Sequence, residues 1–157
     1  MTKEIQAKNL FEQGANCAQA VLGAFAGECG LTQENAFKIA SGFGAGFGRM
    51  REVCGAVSGM VLVLNYLYGN DNIQDKIAKD AHYKLIQEAL LEFQNESGSI
   101  ICRELLQMSK NGKNPPPSPI SEERTGEYYK KRPCSQMVAL AAGITEKILN
   151  KKQKSSN

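Results

Sequence analysis

The stretch Ile73 to Asn95, IQDKIAKDAHYKLIQEALLEFQN, decides the fold class. Ile73, Ile77, Ala81, Leu85, Ala89 and Phe93 form an unbroken row at four-residue spacing, broadened by Ile86 and Leu90. Apolar residues three and four apart share one face of an α-helix, so the row predicts an amphipathic helix over 73–95. Asn72 is placed to cap it. The same period recurs on both sides. Residues 3–26 read as one helix through Ile5, Leu10, Phe11, Ala18, Val21, Leu22 and Phe25, with Gly14 a point of bending because glycine weakens a helix interior. Further helices are predicted over 32–41, 50–68 and 100–106. The last opens at Pro133, whose ring suits a first helical position, and runs through Met137, Val138, Ala141, Ile144 and Ile148. Asn111 to Gly126 contains Pro115, Pro116, Pro117 and Pro119 and cannot be helical throughout. It is expected to be a mobile loop that lies over the cysteine end of the bundle. No stretch alternates with period two. The expectation is an all-α, compact bundle of five to six helices with a Pro-rich loop before the last one.

The chain has 157 residues, room for one domain that can bury a core without metal or disulfide. Residues 1–150 are read as that domain and 151–157 as a flexible basic tail, continuing a run of lysines that begins at Lys147. Hydrophobic residues are 42% and charged residues 22%, which argues against disorder. The formal charge of +3 is small and concentrated in the tail, so a nucleic-acid partner is not expected. The N-terminus lacks the pattern of a signal peptide, and the longest apolar run, Met60 to Leu64, is far below the ~20 residues of a membrane span. A cytoplasmic location is expected. There thiols stay reduced, so cysteines are read as ligands or reactive groups before structural disulfides.

Cys17, Cys54, Cys102 and Cys134 are separated by 32 to 48 residues. None belongs to a local Cys-x-x-Cys motif, which sets aside zinc ribbons, thioredoxin-like sites and c-type haem attachment. Their positions in the helices are more telling. Cys134 follows Pro133, Cys102 follows the Ser97-Gly98-Ser99 break, and Cys54 follows the glycine-rich stretch 42–48. Cys17 follows Asn16 in Asn16-Cys17-Ala18-Gln19, the pattern of a capping box. Helix starts favour anions, so all four thiols are expected to ionise more readily than free cysteine. Arg49 and Arg51 are expected to add to this at Cys54, and Gly55 and Gly59 to leave space for a bulky group or for a close helix crossing. Cys29 lacks a helix-start context. The alternative for each cysteine is an inert, buried thiol.

Asn16-Cys17-Ala18-Gln19-Ala20-Val21, Gly42-Phe43-Gly44-Ala45-Gly46-Phe47-Gly48-Arg49-Met50 and Cys54-Gly55-Ala56-Val57-Ser58-Gly59, with Cys102 and Cys134 downstream, resemble the redox-active C-GCAxxG-C-C family. The resemblance spans about residues 10–142. It implies a small redox protein with four functional cysteines, and similar domains have been linked to iron–sulfur binding.

The glycine-rich stretch is not a dinucleotide fingerprint: its glycines are out of register and it follows a helix. No P-loop exists. His82, the only histidine, is read as an ordinary helix residue, and Glu122, Glu123 and Glu127 as a solvated face. Three functions compete. The first is electron transfer through a cluster, [2Fe–2S] before others, with Cys17, Cys54, Cys102 and Cys134 as ligands and Gly55, Gly59, Arg49 and Arg51 around it. The second is thiol–disulfide oxidoreduction by pairs of these cysteines. The third is a partner-binding module with a structural Cys₄ zinc or buried thiols. Each of the redox readings needs an unidentified redox partner, and a homo-oligomer is allowed.

Overall fold

The computed structural model describes residues 1–108, 111–114 and 116–157; of the proline run, Pro115 lies outside the described residues. Among these residues there are eight helices and no strand. They are α1 (Lys3–Glu12), α2 (Cys17–Ala24), α3 (Gln33–Ala40), α4 (Gly55–Tyr68), α5 (Lys76–Ser97), α6 (Cys102–Leu105), α7 (Gly126–Lys131) and α8 (Cys134–Ser155). The all-α class expected from the periodicity is the class observed. No helix is long and apolar enough to cross a membrane, among the described residues.

Local chemistry explains the helix starts. Thr2, Thr32, Asp75 and Thr125 each accept a hydrogen bond from the third backbone N–H of the helix they precede. Asn16 does the same for Gln19 N–H at 2.9 Å, while the Gln19 side chain accepts from Asn16 N–H at 3.0 Å, completing the capping box.

Four boundaries differ from the sequence reading, each for a physical reason. The helix expected over 3–26 is two helices, because Gly14 adopts φ +113° and the Asn16 cap restarts the chain in a new direction. The helix expected from residue 50 begins at Gly55, because Glu52–Cys54 is extended and pairs with Ile100–Cys102 instead. The cap of α5 is Asp75 and not Asn72, leaving Ile73 outside. The short helix α7 was hidden in the polar segment after the prolines, where apolar periodicity is absent.

The core lies between α1, α2, α4 and α8, with α3 packed on α2 and α5 on α4 and α8. Phe11, Phe25, Phe93, Leu22, Met60 and Leu64 are fully buried in it. The apolar row of α5 is only half used. Ala89 and Phe93 are buried, whereas Ile77 is 84% exposed and Ile73, before the helix, 76%. α4 crosses α2 closely at Gly59, where an added Cβ would lie 2.8 Å from Val21 Cβ and 2.9 Å from the Ala18 carbonyl oxygen. Gly59, read as a residue that clears space for a cofactor or for a helix crossing, serves the crossing.

Candidate functional site

Two short extended segments bring the starts of α4 and α6 together. Cys54 N–H donates to the Ile100 carbonyl at 2.7 Å, and Cys102 N–H donates to the Glu52 carbonyl at 2.6 Å. Between them Val53 and Ile101 form an antiparallel bridge. Cys54 is therefore the N-cap of α4 and Cys102 the first residue of α6. Cys17 and Cys134 are the first residues of α2 and α8. All four cysteines, each at a helix start, line one cavity of about 330 Å³. Arg49, Arg51 and Gly55 line it with them; Gly59, Cys29 and His82 do not. His82 instead pairs through Nε2 with Asn65 Oδ1 at 2.7 Å.

The glycine-rich stretch shapes the floor. Ala45, Gly46, Phe47, Gly48, Arg49 and Arg51 all have positive φ, between 53° and 72°. The result is a left-handed curl tied by Arg51 N–H to the Ala45 carbonyl (3.3 Å) and Glu52 N–H to the Gly46 carbonyl (2.9 Å). Each non-glycine residue in that region costs roughly 1–2 kcal/mol, so surrounding packing must hold the curl in place. At Gly46 the backbone leaves no room for a side chain: an added Cβ would lie 2.7 Å from Cys102 Cβ and 2.7 Å from Glu52 N. Gly55 lets α4 approach α2, since a Cβ there would lie 3.1 Å from Cys17 Cβ. The curl delivers Arg51, only 8% exposed, to the cavity. Its Nη1 donates to Cys102 Sγ at 3.8 Å and its Nη2 to Glu122 Oε1 at 3.3 Å. The sequence expectation paired this arginine with Cys54; the fold pairs it with Cys102.

The thiols do not all respond to their helix starts alike. Cys134 is held down to about 7, first by a hydrogen bond from Cys17 and then by Arg132, Arg124 and Arg51, against the effect of burial. Cys17, half-buried, is pushed well above the ordinary thiol value, because it keeps the proton of that pair and desolvation disfavours its charge. Burial pushes Cys54 up to about 12, although the N–H groups of Ala56 and Val57 favour its thiolate. Burial also raises Cys102 in spite of Arg51. The expectation of four lowered thiols is corrected to one: desolvation outweighs the helix terminus at Cys54 and Cys102, and Cys17 is raised first by its pairing with Cys134 and then by burial. Cys29, away from the cavity, is raised to about 11 by burial and by Glu28.

Sequence reading missed three charged residues of the cavity. Glu122, taken for part of a solvated face, is bound by Arg49, Arg51 and Arg132 and is held down to about 2, first by the Arg49 hydrogen bond. Arg124 donates to the Phe11 and Ala15 carbonyls, each at 3.1 Å, and stacks 4.4 Å from the Phe11 ring centroid. Arg132 lies 4.9 Å from the Tyr128 ring centroid. The loop after the prolines thus lies over the cysteines, pinned by Glu122 and Arg124. No sequence pattern marks these residues; Glu127, paired with Lys131 at 3.6 Å on the surface, looks the same in the sequence.

In donor chemistry the cavity suits a soft metal centre: four thiols among arginines that favour negative charge. The sulfurs are arranged around the cavity and do not close on a point. Among the described residues no three His, Cys, Asp or Glu side chains are grouped to hold a single ion.

Comparison with known proteins gives no match among curated proteins and none among solved structures. One family does match, over residues 15–148, and is described as "Putative redox-active protein (C_GCAxxG_C_C)". With that match running from the Asn16 cap through all four cavity cysteines into α8, the chain belongs to the redox-active C_GCAxxG_C_C family.

Proposed function

We propose that the protein transfers electrons through an iron–sulfur cluster, [2Fe–2S] before other types, held by Cys17, Cys54, Cys102 and Cys134. The observation that carries the reading is the number of thiols that line one cavity. Disulfide exchange needs two, and this cavity gathers four from four helix starts. Cys54 and Cys102 are buried and hold their protons, which makes them poor nucleophiles. They become good ligands when a bound cation replaces those protons. Arg51 and Arg132 oppose the negative charge that four thiolates bring, and the apolar walls at Phe11, Leu105 and Met137 limit water. When bound, a cluster of this type supplies reversible one-electron transfer.

The test is anaerobic purification followed by a visible spectrum and iron, sulfide and zinc analysis. Expected are a charge-transfer spectrum and iron with sulfide, lost in Ser variants of each of the four cysteines and retained in Cys29→Ser. Zinc alone, with no iron in fresh protein, would overturn the proposal.

A second reading has its own support in the Cys17–Cys134 pair. There Cys134 is the nucleophile and Cys17 the resolving thiol: Cys134 attacks a substrate disulfide, one thiol leaves, and Cys17 displaces the second as the internal disulfide forms. Metal-free protein that cycles between two thiols and a Cys17–Cys134 disulfide would favour it.

A further inference from the structure

The cavity holds more positive charge than its own side chains balance. Arg49, Arg51, Arg124 and Arg132 line it, and the one lining carboxylate among the described residues, Glu122, comes from the loop before α7. Arg49 grips that carboxylate as a fork, Nη1 donating to Oε2 at 2.7 Å and Nη2 to Oε1 at 3.2 Å. Arg132 and Arg51 add Nη2 donors to Oε1 at 3.1 and 3.3 Å. The three arginine side chains are 17%, 9% and 22% exposed for Arg49, Arg51 and Arg132, so they are held in place and largely dehydrated. A bidentate guanidinium with two others converging is the arrangement that recognises carboxylate and phosphate groups.

Glu122 fills this cradle as a guest. Its segment, residues 118–124, is neither helix nor strand. It is tied to the bundle through side chains: Arg49 Nε to the Ser118 carbonyl at 2.7 Å, Arg124 to α1 and the residues after it, and Glu122 itself. One carboxylate also leaves two of the three guanidinium charges unmatched, and Arg51 turns its second nitrogen to Cys102.

We propose that Arg49, Arg51 and Arg132 form a binding site for a small oxyanion, a carboxylate or phosphate group, and that Glu122 is a tethered stand-in that closes the cavity until such an anion displaces it. A tethered carboxylate competes at high effective concentration, so an external anion binds weakly while Glu122 is seated. Displacement frees the stretch around Glu122, between the Ser118 and Arg124 ties, and opens the thiols beside the cradle. Glu122 stays charged at ordinary pH, so a competing anion and not mild acid is the trigger. The inference stands on the arginine–glutamate geometry and holds for either redox chemistry of the thiols.

The test titrates inorganic phosphate and malonate, separately, into reduced, metal-free full-length protein, followed by calorimetry at low ionic strength. Glu122→Gln is expected to bind at least one probe tenfold or more tightly than wild type, and the probe that binds tells phosphate from carboxylate. Arg49→Met or Arg132→Met in the Glu122→Gln background should lose that binding; two variants are used in case one misfolds. In wild type, a saturating probe should speed N-ethylmaleimide modification of Cys134 at least threefold, with Cys29 unchanged as the internal reference. Equal affinity of wild type and Glu122→Gln for both probes, or binding that survives both arginine substitutions, overturns the proposal. The metal and spectral readouts of the cluster reading are independent of these outcomes.

Discussion

Cys17 and Cys134, near opposite ends of the chain, are the first residues of α2 and α8 and line one cavity, where each sulfur acts on the ionisation of the other. Cys17 keeps the proton and Cys134 takes the thiolate role. Two helix starts meet there, and each favours negative charge on the sulfur at its end. Three arginines decide which sulfur bears it, since Arg132, Arg124 and Arg51 all act on Cys134.

Modification of Cys134 should report this directly. Its rate with iodoacetamide in metal-free protein is expected to rise with pH around a midpoint of about 7. Cys17→Ala removes the largest cause, so the midpoint should move up toward the ordinary thiol range and the rate at pH 7 should fall severalfold. An unmoved midpoint would assign the lowering to the arginines alone.

Stability should decline in alkaline solution. Cys54 is raised to about 12 in the folded protein, against an ordinary value of 9.0. Between those values the unfolded chain has lost a proton that the native protein keeps, so unfolding becomes easier as pH rises. The slope approaches about 1.4 kcal/mol per pH unit for such a group. Urea unfolding at pH 8 and 10.5 measures the loss, and Cys54→Ala should reduce it. An equal loss in that variant would place the effect elsewhere.

Gly46→Ala should be among the most damaging single-methyl additions. The left-handed backbone costs roughly 1–2 kcal/mol, and the contact with Cys102 and Glu52 about 1–3 more. At Gly27 a Cβ would meet nothing within 4 Å, and Gly27→Ala should be close to neutral. Thermal unfolding of the two variants compares them.

Arg124→Ala should loosen the loop from the bundle. It removes two charge-assisted hydrogen bonds to the Phe11 and Ala15 carbonyls and the contact with the Phe11 ring. A loss of about 2 kcal/mol is expected in urea unfolding, together with faster tryptic cleavage at Lys130 or Lys131. Unchanged cleavage would show that Glu122 alone holds the loop.

On α5 the two halves should behave oppositely. Phe93→Ala, at a fully buried site, should cost about 3–5 kcal/mol. Ile77→Ser, on the exposed half, should stay within about 0.5 kcal/mol. A large cost at Ile77 in dilute solution would mean that this face is covered there.

Features that depend on neighbours a few residues apart are legible before the chain folds. Apolar spacing marked the longer helices, though not the break between α1 and α2 or the short α7; the Asn16–Gln19 box and Pro133 marked two helix starts, and four cysteines could be placed at helix starts before any tertiary contact was known. Long-range contacts set the remainder. Both the exposed and the buried half of α5 carry the same period, and what differs is the presence of α4 and α8 beside one of them. Helix starts predicted four acidic thiols, and burial by distant segments together with the pairing of Cys17 with Cys134 left one. Glu122 and Glu127 read alike, but Glu122 meets Arg49 across 73 residues of chain. Desolvation and charge pairing of that kind are set by which surfaces the fold brings together, and local sequence carries no record of them.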